Sequence, residues 1–144
     1  MKISTKGEYG IRALLELSKR YGEGYIQSAD IAATRGIPEN YLYQLLITLR
    51  KAGIIRSRRG PQGGHMLART PSAISVADAV IALEGPLAPT ACVQADVEDD
   101  CPYSSRCAVR GVWERVTDAT TEILRTTTFE YLLERERERE AELG

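Results

Sequence analysis

A chain of 144 residues with 43% hydrophobic content can bury one core and carry a helical appendage. Its longest apolar runs, such as Ala79 to Leu83, fall far short of a membrane span, and its opening residues lack a signal-peptide pattern, so a cytoplasmic protein is expected. The net charge of −1 hides a segregation of charge. Between Glu39 and Asp78 no acidic residue occurs, while Arg50, Lys51, Arg56, Arg58, Arg59 and Arg69 are all cationic. A local basic field of that kind attracts a polyanion even when the whole protein is near neutral. The balancing acids lie elsewhere, at Asp96, Glu98, Asp99 and Asp100 and in a tail from Glu134 to Glu142.

Thr5-Lys6-Gly7-Glu8 has capping-box spacing ahead of an amphipathic run, which predicts a first helix from about Lys6 to Tyr21. Gly22 and Gly24 end it, and Tyr25-Ile26-Gln27 suits a short strand. Ser28 is a candidate N-cap for a short second helix reaching Thr34. Gly36 breaks that helix, and Pro38 fits the first turn of the next. The third helix carries Leu42, Leu45, Leu46 and Leu49 at helical spacing and leaves Asn40, Tyr43, Gln44, Thr48 and Lys51 on its other faces. After Gly53, Ile54–Arg58 alternates as a strand, Gly60-Pro61-Gln62-Gly63-Gly64 forms a turn, and His65–Ala68 returns. A helix-turn-helix followed by a hairpin is a winged helix, so the expected fold is mainly α with a small β wing.

That arrangement accounts for the residue types. A helix fits the major groove, and Asn40 and Gln44 amides can pair bidentately with adenine. Tyr41 and Tyr43 can contact phosphate or thymine methyl groups, and a glycine-rich tip carrying Arg59, Gln62 and Gly63 can approach the backbone or the minor groove. Arg50, Lys51 and Arg58 are expected to position the protein on phosphates. The expected ligand is therefore double-stranded DNA.

Ser75-Val76-Ala77-Asp78 is a second capping box, opening a helix through about Glu84 that Gly85 and Pro86 terminate. After a loop, a periodic segment from about Ser104 to Leu133 places Val109, Val112, Trp113, Val116, Ala119, Ile123 and Leu124 on one side. So long a helix exceeds what a small domain can cover, which predicts a homodimer anchored by Trp113. The tail beyond Leu133 reads as a solvated helix held by Glu–Arg pairs. Four regions follow: a winged helix-turn-helix over 1–85, a cysteine-containing sensor loop over 86–107, a dimerisation helix over 108–133 and a charged tail over 134–144. No nucleophile motif or phosphate-binding glycine loop is present, and the one histidine, His65, lies in the hairpin, so no enzyme is expected.

The runs Ile37-Pro38-Glu39-Asn40-Tyr41-Leu42-Tyr43-Gln44, Leu49-Arg50-Lys51-Ala52-Gly53 and Arg59-Gly60-Pro61-Gln62-Gly63-Gly64 give the chain a likeness. It resembles the IscR, NsrR and CymR group of bacterial winged-helix regulators, from Met1-Lys2-Ile3-Ser4-Thr5 to about Leu133. The resemblance implies a homodimer on a pseudo-palindromic operator. It also implies a sensor, because members of the group hold an iron–sulfur cluster, 4Fe–4S or 2Fe–2S, on three cysteines before the long helix. Here these are Cys92, Cys101 and Cys107, soft thiolate donors in one acidic loop. Arg110 stands where some relatives place a histidine ligand. Others take a carboxylate from the partner's first helix, and the matching residue is Glu8, which a capping box would equally explain. Zinc, thiol redox sensing, control by a protein partner without any metal, and no role remain the alternatives for the cysteines.

Overall fold

The computed structural model describes residues 2–94 and 101–144. Six α-helices and one antiparallel hairpin follow in the order α1 (Thr5–Lys19), α2 (Ser28–Arg35), α3 (Glu39–Lys51), β1 (Ile55–Arg58), β2 (Gly64–Leu67), α4 (Val76–Glu84), α5 (Arg110–Thr126) and α6 (Phe129–Leu143). The first half is the expected winged helix. Leu14 and Leu17 of α1, Ile31 of α2, and Leu42, Leu45, Leu46 and Leu49 of α3 meet Ile54, Ile55 and Leu67 from the hairpin in one core. The leucines at positions 42, 45, 46 and 49 form a single stripe on α3, so the opposite face is left in solvent. Gly36 adopts φ 64° at the end of α2, a left-handed conformation that turns the chain into α3 at little cost for glycine.

The hairpin pairs Ile55 with Leu67 and Arg58 with Gly64, and it gains a third edge from Ile26. Ile26 and His65 exchange both backbone bonds at 2.8 Å, so the short strand expected around Tyr25-Ile26-Gln27 is one bridge wide. α4 opens with the expected capping box, Ser75 accepting from the Asp78 amide and Asp78 accepting from the Ser75 amide.

Three expectations are corrected. The cap of α1 is Ser4, not Thr5: its hydroxyl accepts from the Gly7 amide at 3.3 Å. The carboxylate that completes the cap comes from α4, where Glu84 accepts the Ser4 amide at 2.9 Å and its hydroxyl as well. A Cβ on Gly7 would meet Glu84 Oε1 at 2.3 Å, so glycine is what lets this carboxylate in. Glu8 is thereby released from capping and stands exposed.

The long helix expected over 104–133 is two helices broken at Thr127 and Thr128. Thr128 caps α6 by accepting from the Tyr131 amide at 3.1 Å, while Val76 donates to the Thr127 carbonyl at 2.8 Å and Phe129 to the Ile74 carbonyl at 3.0 Å. The chain therefore turns back, and Phe129 and Leu133 enter the core. The tail is not simply a solvated appendage either. Glu136 pairs with Arg35 at 3.0 Å, and Arg35 also holds the buried Glu16 of α1 at 3.0 Å. Burial works against the Arg35 charge, and the bonds to Glu136 and Glu16 outweigh it, keeping the guanidinium firmly protonated.

Candidate nucleic-acid interface and cysteine loop

Asn40, Tyr41, Tyr43, Gln44, Arg50 and Lys51 all lie exposed along α3, beside the wing. Tyr41 is held in place by an edge-on contact with Tyr9 of α1, the ring centroids 5.5 Å apart. The wing residues divide by role. Arg59 and Gln62 are exposed at the tip, whereas Gly63 is buried and presents only backbone. Arg58 is exposed too but is engaged within the protein: its guanidinium donates to the Gln62 carbonyl at 2.8 Å and lies 4.5 Å from the centre of the Tyr25 ring. It braces the wing that carries Arg59. Gln27, just ahead of α2, donates to the carbonyls of Pro61 and Gly63 at 3.2 and 3.0 Å, tying the tip to the helix-turn-helix. Neither Tyr25 nor Gln27 stood out in the sequence, because a bond across more than thirty residues leaves no local spacing to read.

The cleft between α3 and the wing, about 310 Å³ in volume, is lined by Tyr43, Arg50, Ser57, Arg59 and His65 among others. His65 Nδ1 lies 2.8 Å from the Ser57 hydroxyl. Burial, and then the charge of Arg50, hold its pKa below the usual histidine range, so the ring is neutral at neutral pH.

The cysteines sit at the base of α5. Cys92 lies half-buried on a short 3-10 turn, Ala91–Val93, with its sulfur 3.1 Å from the Thr90 hydroxyl. Cys101 is exposed, and Cys107 is half-buried after a second such turn, Ser104–Arg106. Arg110 bonds the Cys92 carbonyl at 3.3 Å and the Ser104 hydroxyl, so it draws the two turns together at the start of α5. Asp96, Glu98, Asp99 and Asp100 lie outside the described residues. Among the described residues no three of the histidine, cysteine, aspartate and glutamate side chains are gathered closely enough to hold a metal. The donor chemistry suits an iron–sulfur cluster, but the placement of the three thiols within one chain does not.

α5 itself is bare. None of its residues is buried, and Val109, Val112, Val116, Ala119 and Ile123 form an exposed seam with alternating steps of three and four residues. Trp113 is half-buried at the edge of that seam, four residues after Val109 and three before Val116. Leu124, beside the seam, packs instead against the Val76, Val80 and Leu87 cluster.

The comparison with known proteins decides the family. The model of Rrf2, described as an iron-dependent transcriptional regulator, matches residues 3–135. The chain belongs to the Rrf2 family. It is a DNA-binding transcription regulator and not an enzyme. Among Rrf2 relatives, CymR of Bacillus subtilis (strain 168) is 43% identical over 132 residues, covering 92% of this chain and 89% of CymR. The solved structure of that protein, the global cysteine regulator of B. subtilis, matches with a TM-score of 0.76 and 40% identity over 94% of this chain and 98% of that one. IscR of T. potens matches with a TM-score of 0.76 and 37% identity, covering 96% and 90% of the two chains. The oxidised form of Staphylococcus aureus CymR matches with a TM-score of 0.70 and 38% identity over 93% and 97%. No helix among the described residues is long and apolar enough to cross a membrane.

Proposed function

We propose that the protein acts as a cytoplasmic homodimer that lays two α3 helices in successive major grooves of a pseudo-palindromic operator. The observation that carries this reading is the bare seam of α5. Apolar side chains at alternating three- and four-residue spacing on an otherwise charged helix match the face that a second helix covers. Asn40 and Gln44 read base edges, Tyr41, Tyr43 and Lys51 touch the backbone, and Arg59 with Gln62 extends the wing along the duplex. Asn40→Ala or Gln44→Ala relaxes base preference by roughly 1–3 kcal/mol per lost contact, whereas Lys51→Ala weakens operator and random DNA alike and flattens the salt dependence. Equal losses on both DNAs from all three changes, in a binding titration, would remove α3 from the recognition role.

The signal enters at the cysteine loop, through the chemical state of its thiols. Arg110 connects the Cys92 turn to the start of α5, α5 packs on α4, and α4 packs on α1 and α3. A change around Cys92, Cys101 or Cys107 therefore meets the seam-bearing helix α5 directly and reaches α3 through α5 and α4. The ungathered thiols and the likeness to CymR support this metal-free reading. The iron-dependent description of the family supports a second one, in which the same three thiols and Glu8 of the partner subunit hold an iron–sulfur cluster. Glu8 is exposed and has no capping duty, as that second reading requires. Anaerobic purification with iron and sulfide analysis separates them. Comparable iron and sulfide, lost on Cys101→Ala, supports the cluster. Metal-free protein whose DNA affinity changes on mild thiol oxidation supports the thiols.

A further inference from the structure

The cleft between α3 and the wing contains the chain's one histidine and no carboxylate. Of the cations around it, Arg58 is committed to the Gln62 carbonyl and the Tyr25 ring. Arg50 and Arg59 are exposed, and among the described residues neither is within ion-pair distance of an acid. Two uncommitted guanidinium groups, a hydroxyl and an imidazole facing one concavity make a seat for a small anion carrying several acceptor oxygens.

We propose that this cleft seats one phosphodiester of the bound duplex, between Arg50, Arg59 and the Ser57–His65 pair, and that His65 takes up a proton as the phosphate arrives. The proposal rests on the DNA-binding reading and adds to it a contact that responds to pH. In the free protein the imidazole is neutral, with Arg50 the charged group close enough to act on it. A neutral ring accepts the Ser57 hydrogen at Nδ1 and keeps its own proton on Nε2. When a phosphodiester enters, its negative charge offsets Arg50 and favours the imidazolium. The proton comes from solvent and binds Nδ1. That nitrogen now donates to the Ser57 oxygen, and the Ser57 hydrogen is released toward the phosphate. One proton gained thus yields one new donor to the anion, the Ser57 hydroxyl, together with a positive charge on the ring. Tyr43 on α3, Tyr25 beside β2 and the three arginines are the remaining titratable or charged groups around the ring.

Binding that favours protonated His65 is tighter at low pH and weakens as pH rises through the pKa of the bound state. A backbone contact carries no sequence information, so a mixed-sequence duplex of about 30 base pairs is a sufficient probe. At constant ionic strength, wild-type affinity for that duplex is expected to fall about three- to tenfold between roughly pH 6 and pH 7.5. His65→Gln keeps a hydrogen-bonding side chain but cannot be charged, and it is expected to give a flat profile at the weaker level. The imidazole resonance of a one-histidine protein is unambiguous, so its NMR titration, free and with duplex, reads the same event even if His65→Gln fails to fold. An upward displacement of that titration with DNA is expected. Identical titrations with and without DNA, or identical pH profiles for wild type and His65→Gln, overturn the proposal while salt-sensitive DNA binding stands. Failure of the wild type to bind the duplex at any pH or low salt would instead remove the DNA-binding reading, and this proposal with it.

Discussion

α5 and α6 are neighbours in the chain, joined through Thr127 and Thr128, yet they differ in what covers them. α5 buries none of its residues, and Val116 is 39% and Ile123 63% exposed on its outer seam. α6 sends Phe129, wholly buried, and Leu133 into the winged-helix core, and it holds Arg35 through Glu136. The first helix carries apolar surface that its own chain leaves open, and the second is finished within one chain. An apolar stripe therefore has two meanings here, and only the placement of the flanking turn separates them.

The sharpest way to break that contrast is a charge in the middle of the bare seam. Val116→Asp puts a carboxylate where two copies of α5 are proposed to meet, and burying it unpaired is strongly unfavourable. Sedimentation should show a monomer that keeps its helical content. Operator affinity should fall about a hundredfold or more, because two half-sites no longer act as one ligand. An unchanged dimer would move the interface elsewhere. The converse change, Phe129→Ala, removes a filled core position and should cost about 3–5 kcal/mol in urea denaturation, with dimerisation of the folded fraction intact. A loss under about 1 kcal/mol would mean that α6 is docked only loosely.

The winged half was legible because its signals are local. The leucine stripe of α3, Gly36 with Pro38, the glycine turn of the wing and the Ser75–Asp78 capping box each lie within a few residues of one another. What escaped the sequence reading depends on distant partners. Thr127 and Thr128 stop the long helix only because Ile74 and Val76 bond its backbone there, and Ser4 displaces Thr5 as the cap because Glu84 lies 80 residues away. For the site, residue types pointed to the exposed face of α3 and to Arg59. The bond of Arg58 to Gln62, its contact with Tyr25 and the tie from Gln27 needed the folded hairpin.

The Arg35 pair tests how far the finished side of the contrast reaches. Arg35 ends α2, immediately before the turn into the recognition helix, and its side chain is 15% exposed against 5% for Glu16. Arg35→Met leaves Glu16 buried without its cation, and a cost of about 2–3 kcal/mol is expected. Glu136→Gln removes the more exposed arm alone and should cost under about 1 kcal/mol. If the two variants lose equal stability, the tail and not the α1–α2 contact is what Arg35 secures.

The smallest effect expected is at Glu84, the carboxylate that caps α1 from the end of α4, on which α5 rests. Its bonds to the Ser4 hydroxyl and amide hold its pKa below the ordinary carboxylate value, against slight desolvation, with Gly7 and Lys6 adding to the fall. A depressed pKa in the folded state means that the stabilisation is present above the unfolded pKa and is lost as pH falls through the folded one. Glu84→Gln should therefore cost about 1 kcal/mol or less at neutral pH and make stability less sensitive to acid below about pH 4.5. Its value lies in the second readout. α4 supports α5 through Leu124, so if the open seam is a property of α5 alone, dimer affinity should not move with the loss of this cap. A dimer weakened in step with stability would show that the surface α5 offers a partner depends on how α4 is tied to α1, and would join the two halves of the contrast into one cooperative unit.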